Sequence, residues 1–180
     1  MTVVIRESRE TQIRCELTAG TGAARVSTGD AFLDHMLTAF ARYAGVDVDV
    51  QATGDLRHHL IEDVAITLGQ TVAAFAPAGC ARYGERTVPM DDALVQVVLD
   101  IGGRPYYRGP LPSPLWDHFM RSFADNAKTT LHVRVLRGRD KHHVVEAAVK
   151  ALGFALRQAL EQAGAVFSTK GAVLLDIGEE

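Results

Sequence analysis

The sequence has few cysteines and no strong excess of either charge, and both shortages exclude classes of protein. Its 180 residues include two cysteines, Cys15 and Cys80, too few for a disulfide framework and without C-x-x-C spacing, which favours a reducing compartment. The formal net charge of -3 provides no broad basic face for nucleic acid. No run reaches the ~18 apolar residues of a spanning helix, and the N terminus lacks a signal peptide's apolar core. With 47% hydrophobic residues, the chain is expected to be a cytoplasmic globular protein without nucleic-acid or membrane partners.

What the sequence does contain is an internal repeat of about 84 residues. Two adjacent histidines begin "HHLIED" at His58 and "HHVVEA" at His142, and each pair is followed by a glutamate at the same distance, Glu62 or Glu146. Flanking segments align as well, "FLDHMLTAFARYAG" with "LWDHFMRSFADNAK" among them. The repeat indicates a duplicated half.

Hydrophobic spacing predicts the same elements in both halves. Alternating apolar residues predict a strand at 46–51, and the β-branched run "LVQVVLDI" predicts another at 94–101. Apolar residues at helical spacing predict helices that include Leu33–Phe40 and Val145–Leu156.

These elements predict an α+β fold of two pseudo-symmetric halves, each a small β-sheet with two helices in the order β-α-β-α. Residues 1–85 and 86–180 would be the half-repeats of one compact domain. The turn-rich segment "GRPYYRGPLPSP" at 103–114 is predicted to end the strands of the second half.

The repeated His-His-x-x-Glu motif predicts metal binding. Residues four apart share a helix face, so His58 and Glu62 lie together, whereas His58 and His59 diverge. One ion cannot easily take both rings of a pair, but two ions can each take one ring from either of two facing helices. Imidazole and carboxylate ligands suit Mn, Fe, Co, Ni or Zn. A lone histidine on an apolar helix is more often a packing or surface residue, but the repetition favours a metal site.

Seven segments resemble, in order and over nearly the whole chain, the imidazoleglycerol-phosphate dehydratase family of histidine biosynthesis: "FLDHML", "HHLIEDVAITLG", "PMDDAL", "GGRPY", "TLHVRVLRGR", "KHHVVEAAVKAL" and "STKG". The resemblance implies a hydro-lyase that dehydrates imidazole glycerol phosphate to imidazole acetol phosphate. It implies two Mn²⁺ per active site, with other divalent metals open, and a homo-24-mer whose sites lie between subunits. The partner implied is the small phosphorylated imidazole substrate.

The resemblance also implies two ligand sets, one for each ion: His35, His59, Glu62 and His142, and His58, His132, His143 and Glu146. His118, the repeat partner of His35, is left over and is expected to be a helix-surface residue. His132 alternates with Leu131 and Val133 in a predicted strand, so it is expected on the side of the metal site; simple packing is the alternative.

Further roles follow from the match. The catalytic residues implied are three carboxylates: Glu10, which the family supplies from a neighbouring subunit, Glu62 and Glu146. The resemblance also implies phosphate-binding residues, whose guanidinium, ammonium or hydroxyl groups donate hydrogen bonds to phosphate oxygens: Arg82, Arg104, Ser168, Thr169 and Lys170.

Three positions depart from the family pattern. Arg57 directly precedes His58 after a shortened segment, and a cation there is a poor neighbour for a metal ion unless it points away. Ala39 and Tyr43 stand where the family commonly has Gln and His in contact with substrate. Substrate recognition is therefore the part of the prediction most open to change.

Two other functions fit a two-metal chain. One is a di-metal enzyme that acts on another phosphorylated substrate, such as a phosphate-ester hydrolase. The other is a non-catalytic metal-binding assembly protein. Arg104 and Lys170 argue against the second, because a purely structural site needs no phosphate-binding residues.

Overall fold

The two halves of the chain repeat one arrangement of strands and helices in the computed structural model, which describes residues 1–164. The first half consists of β1 (Thr2–Glu7), β2 (Thr11–Ala19), β3 (Ala24–Ser27), α1 (Ala31–Ala44), β4 (Val46–Gly54) and α2 (Arg57–Phe75). The second half consists of β5 (Tyr83–Met90), β6 (Ala93–Ile101), β7 (Tyr106–Arg108), α3 (Pro114–Asn126), β8 (Thr129–Arg137) and α4 (Lys141–Leu160). The predicted α+β fold in two halves is confirmed.

Each half forms a four-stranded mixed sheet with the same strand order. The orders are β1-β2-β4-β3 and β5-β6-β8-β7; β3 and β7 run parallel to their neighbours, and the other pairings are antiparallel. Strand β7 lies within 103–114, the segment predicted to be turn-rich, and was not itself predicted. Its three residues pair with β8 and bury Tyr107, so the strand depends on tertiary pairing that the local pattern does not show. Strand β5 crosses the half-repeat boundary expected at 85/86.

The helices lie between the two sheets and form the shared core. Helix α2 packs on β1 and β2, and α4 packs on β5 and β6, while α1 contacts α4 and α2 contacts α3 across the halves. Buried residues of both halves form one continuous hydrophobic cluster. The pseudo-symmetric packing brings the N-terminal parts of helices from different halves together.

Two repeat-related glycines allow these helices to approach closely. A Cβ on Gly69 of α2 would lie 2.7 Å from the carbonyl oxygen of Phe123 in α3. A Cβ on Gly153 of α4 would lie 3.0 Å from the carbonyl oxygen of Phe40 in α1. Glycine, which has no Cβ, permits backbones to pack this tightly. The distance between α2 and α3 and the distance between α4 and α1 therefore depend on glycine at these two positions.

Both cysteines are buried and unpaired, as expected for small core residues. Burial raises the pKa of the Cys15 thiol to about 11, so this thiol is not activated as a nucleophile. Within residues 1–164, no helix combines the length and the apolar character needed to cross a membrane.

Candidate metal centre

Three potential metal ligands converge where α2 meets α3. His58 Nε2 lies 3.5 Å from Glu62 Oε2, and His118 Nε2 lies 3.0 Å from Glu62 Oε1. The two imidazole rings stack at 5.4 Å. Within residues 1–164, this is the group in which three ligand atoms lie within 4.8 Å of one another. We call His58, Glu62 and His118 the first cluster.

The atoms of the first cluster fit a divalent metal ion. His118 Nε2 is buried and makes no hydrogen bond, because its 3.0 Å approach to Glu62 lacks hydrogen-bond geometry. A buried polar atom without a partner is costly, and a metal ion between two imidazole nitrogens and a carboxylate would give it one. This donor set is the one that borderline divalent ions prefer.

His118 is a candidate ligand that the sequence analysis did not assign. It was expected to be a helix-surface residue, and its side chain is 37% exposed, but α3 packs against α2 so that Nε2 faces Glu62. The signal was present in the repeat, since His118 aligns with His35. A histidine duplicated together with the His-His-x-x-Glu motif deserved the same interpretation as the motif.

The second half contains a related group on α4 and α1. His142 Nε2 lies 3.3 Å from Glu146 Oε2, and His35 Nε2 lies 3.6 Å from Glu146 Oε1. The ring of Phe32 packs 4.9 Å from that of His142. We call His35, His142 and Glu146 the second cluster. It differs from the first in holding an ammonium group, because Lys150 Nζ lies 2.8 Å from Glu146 Oε1.

Lys150 also changes the electrostatics of the second cluster. Burial alone would raise the pKa of Glu146, but the hydrogen bond from Lys150 and the nearby positive charge outweigh burial and lower it. Glu146 is therefore a carboxylate at neutral pH, which is the form that binds metals.

The contacts within one chain do not test the two expected ligand sets, because the resemblance places the sites between subunits. His35 and His142, which share an expected set, both lie beside Glu146 of the other set. His132 joins neither cluster of its own chain.

His132 lies on the far side of its sheet from the helices. Leu131 and Val133 are buried on the core side of β8, so His132 between them is exposed on the outer face, with its ring 5.6 Å from that of Tyr106. Alternation in the strand sends His132 away from its buried neighbours, so any metal ligand role of His132 would be played toward a neighbouring subunit, and that assignment stays a prediction.

The second histidine of each pair is held by a carboxylate outside the clusters. His59 Nδ1 lies 2.8 Å from Asp55, and His143 Nδ1 lies 2.8 Å from Asp92. These hydrogen bonds raise the pKa of His59 and of His143 above the ordinary value. Backbone N–H groups and His143 lower the pKa of Asp92 to about 2. A carboxylate on Nδ1 fixes the ring and leaves Nε2 as the ligand atom, as in many metal sites.

Glu10 stands beside His59 at the turn between β1 and β2. Its Oε2 lies 3.7 Å from His59 Nδ1. A buried carboxylate ties this turn to α2: Asp63 accepts a short hydrogen bond from Thr11 Oγ1 and pairs with Arg6 at 2.8 Å. Asp63 therefore supports the position of Glu10, a role that the sequence reasoning did not assign.

The residues expected to bind phosphate lie in different surroundings. Arg82 already forms a two-pronged ion pair with Asp100, at 3.0 Å and 2.9 Å. Arg104 is exposed in the loop before β7. Ser168, Thr169 and Lys170 lie outside the described residues.

The three departures from the family pattern also have defined surroundings. The guanidinium of Arg57 pairs with Asp30, the N-cap residue of α1. Ala39 is buried in the core. The ring of Tyr43 packs 4.8 Å from that of Phe154.

Comparison with known proteins gives one family. Residues 28–156 match the family model described as imidazoleglycerol-phosphate dehydratase. The chain is 43% identical to the imidazoleglycerol-phosphate dehydratase of Methanococcoides burtonii, over 94% of this chain and 97% of that protein. It is 44% identical to that of Hahella chejuensis, over 94% and 96% of the two chains.

Solved structures agree with the sequence matches. The crystal structure of the Pyrococcus furiosus enzyme in complex with (S)-C348 superimposes with a TM-score of 0.85 at 41% identity, covering 94% of this chain and 100% of that one. The Staphylococcus aureus imidazoleglycerol-phosphate dehydratase superimposes with a TM-score of 0.79 at 33% identity, covering 89% and 98%. Because sequence and fold agree over nearly the full length, this chain belongs to the imidazoleglycerol-phosphate dehydratase family of hydro-lyases.

Proposed function

We propose that this chain dehydrates imidazole glycerol phosphate to imidazole acetol phosphate with two Mn²⁺ ions per active site. Family membership supports the hydro-lyase reaction and its place in histidine biosynthesis. The observation that carries the metal dependence is the buried, unpartnered His118 Nε2 beside His58 and Glu62. In the second half, Glu146 likewise lies beside two imidazoles.

In this proposal each cluster binds one ion through two imidazoles and a carboxylate, and a neighbouring subunit supplies a further imidazole. His59 and His143 suit that role because their Nδ1 atoms are held by carboxylates and their rings diverge from those of His58 and His142. Sites shared between subunits favour a homo-oligomer, and we propose the 24-mer that the resemblance implies.

The bound ions would supply Lewis-acid polarisation of the substrate. Glu62 and Glu146 would be occupied as ligands, so we assign proton transfer to Glu10, whose side chain is 57% exposed. Glu10 lies beside His59, and the two would enter the neighbouring subunit's site together. General acid–base transfer needs such a carboxylate within hydrogen-bond reach of the reacting carbon or hydroxyl.

The substrate's phosphate would be bound by Arg104 together with Ser168, Thr169 and Lys170. The guanidinium fork of Arg104 is exposed, whereas that of Arg82 is paired with Asp100. We therefore assign Arg82 a supporting role, in which its ion pair with Asp100 holds the start of β5 beside the end of β6.

The test is turnover of imidazole glycerol phosphate by metal-stripped protein before and after Mn²⁺ is added, with ketone product and free phosphate measured together. Metal-dependent ketone formation without phosphate release supports the dehydratase. Phosphate release would instead support the hydrolase, and ion binding without any turnover would support an assembly protein.

A matched pair of variants tests the ligand assignment. His118→Ala should lose one bound ion per chain and lower metal affinity by more than the roughly 10–100-fold that loss of an outer partner costs. Glu161→Ala removes an exposed side chain at the opposite end of α4 and should keep both ions. Equal metal loss in the two variants would contradict the assignment of His118.

A further inference from the structure

The hairpin that joins the first two strands of each half carries a carboxylate beside the second histidine of the repeated pair. In the first half, Glu10 lies between β1 and β2, and its Oε2 is 3.7 Å from His59 Nδ1. In the second half, Asp91 lies between β5 and β6, and its Oδ2 is 3.3 Å from His143 Nε2. The two sheets have the same strand order. Asp91 therefore occupies in the second half the place that Glu10 occupies in the first.

The carboxylate of Asp91 is available, whereas that of the next residue is not. Asp92 accepts hydrogen bonds from His143 Nδ1 and from two backbone N–H groups. In the described part of the chain, the Asp91 carboxylate makes no hydrogen bond, and its ion-pair contact is with His143 Nε2, the nitrogen that remains for a ligand. The Asp91 side chain is also 67% exposed. It can therefore accept a hydrogen bond from a group outside its own chain.

The backbone at Asp91 indicates that the turn itself does not require an aspartate. Met90 pairs with Ala93, so Asp91 is the first residue of a two-residue hairpin turn. Its φ of 47° lies in the left-handed region, which glycine adopts without steric cost and other residues adopt with strain. Glycine would therefore serve this turn at least as well. Strained residues cluster at functional sites, so the conformation agrees with a role for the side chain.

The proposed dehydration needs two proton transfers between neighbouring carbons of the substrate. The carbon next to the imidazole ring loses its hydroxyl group with the C–O bonding electrons, and this group takes up a proton to leave as water. The adjacent carbon becomes the ketone carbon, so it loses the proton of its own hydroxyl group and its C–H proton. A proton then adds to the carbon next to the ring. The overall change is the loss of one water, with one proton transferred between oxygens and one between carbons.

We propose that Asp91 is a second catalytic residue, which passes the proton of the retained hydroxyl group to the departing one, while Glu10 transfers the carbon-bound proton. This inference rests on the proposed function, in which His59 and His143 enter sites shared between subunits. Each histidine brings the carboxylate of its neighbouring hairpin with it. The duplicated fold thereby supplies two carboxylates at different positions for the two transfers, each of which needs a group within hydrogen-bond reach.

Two substitutions test this role in the Mn²⁺-loaded, assembled protein. Asp91→Gly removes the carboxylate and relieves the backbone strain, so its unfolding temperature should equal or exceed that of the unaltered protein. Asp91→Asn keeps the shape of the side chain without the acid–base group. Both variants should keep their Mn²⁺ and should lower kcat for ketone formation about 100-fold or more, with KM for imidazole glycerol phosphate little changed. Sedimentation and metal analysis check assembly and Mn²⁺ content.

Two control variants separate this effect from general changes in backbone or surface charge. Lys128→Gly relieves a left-handed conformation with a φ of 52° at the turn between α3 and β8, and its unfolding temperature should likewise equal or exceed that of the unaltered protein. Asp125→Asn removes an exposed carboxylate near the C-terminal end of α3. It should leave kcat unchanged.

Full turnover by either Asp91 variant would overturn the inference. Loss of Mn²⁺ or of assembly in Asp91→Asn would also overturn it, because Asp91 would then maintain the site rather than transfer a proton. A fall in kcat for Asp125→Asn as large as that for Asp91→Asn would overturn it as well. Absence of turnover in the unaltered, Mn²⁺-loaded protein would contradict the proposed function instead.

Discussion

The buried ion pair at Asp63 should contribute measurably to stability, and Asp63→Asn tests it. The Asp63 side chain is 9% exposed and pairs with Arg6, whose side chain is 34% exposed. Thr11 donates a second hydrogen bond to the same carboxylate. The substitution keeps the shape of the side chain but removes the charge that both strands β1 and β2 use to contact α2.

The size of the effect follows from this burial. Breaking a fully buried ion pair costs about 3–5 kcal/mol, and the partial exposure of Arg6 reduces that to about 2–3 kcal/mol through solvent screening. In a chain of this length each kcal/mol shifts the unfolding temperature by roughly 2–4 °C. The expected decrease is therefore about 4–12 °C.

The assay is thermal unfolding of metal-free protein at one fixed subunit concentration, since the midpoint of an oligomer would depend on concentration. The matched control is Arg25→Gln, which removes the pair with Asp49 on the same sheet at 3.0 Å. Arg25 is 85% exposed, and exposed pairs contribute about 0–1 kcal/mol. A decrease for Asp63→Asn no larger than that for Arg25→Gln would refute the reasoning.

Three further substitutions have expected outcomes. Asp92→Asn should flatten the acid dependence of stability. The lowered pKa of Asp92 gives a contribution to the free energy of unfolding that is complete above pH 3.8 and is lost as pH falls toward about 2, and thermal unfolding over that range checks it. The same variant should bind Mn²⁺ about 10–100-fold more weakly in a titration, because Asp92 no longer fixes the ring of His143. Asp55→Asn removes the hydrogen bond that raises the pKa of His59, so metal-free protein should lose stability below pH 6.5 and little well above it, in the same unfolding assay. Gly69→Ala places a Cβ 2.7 Å from a carbonyl oxygen of α3, so it should force α2 and α3 apart at a cost of about 1–3 kcal/mol and reduce Mn²⁺ binding in the titration.

Local patterns predicted most of the elements because each half buries one face of its strands and helices. The alternation at 46–51 and the apolar run at 94–101 correspond to β4 and β6, whose inward residues are buried. Strand β7 was not predicted because three residues are too few to show an alternating pattern. It forms by parallel pairing with the edge of β8 and by burial of Tyr107 in the core.

The candidate site was predictable within helices but not between them. The four-residue spacing placed His58 beside Glu62, as the structure shows. The cross-helix partner of Glu62 depends on how α3 packs against α2, which no spacing within one helix reports. The repeat supplied the missing information, since His35 and His118 align and each faces the glutamate of a helix from the opposite half.

The duplicated halves keep the geometry of the clusters but differ in the charges beside them. After Glu62 comes Asp63, whose carboxylate supports the turn that carries Glu10, whereas after Glu146 comes Ala147. The second half has Lys150 in contact with its glutamate instead. Equivalent substitutions at Glu62 and Glu146 should therefore have unequal effects on metal affinity, since only loss of Glu146 leaves a partly buried ammonium group beside the remaining histidines.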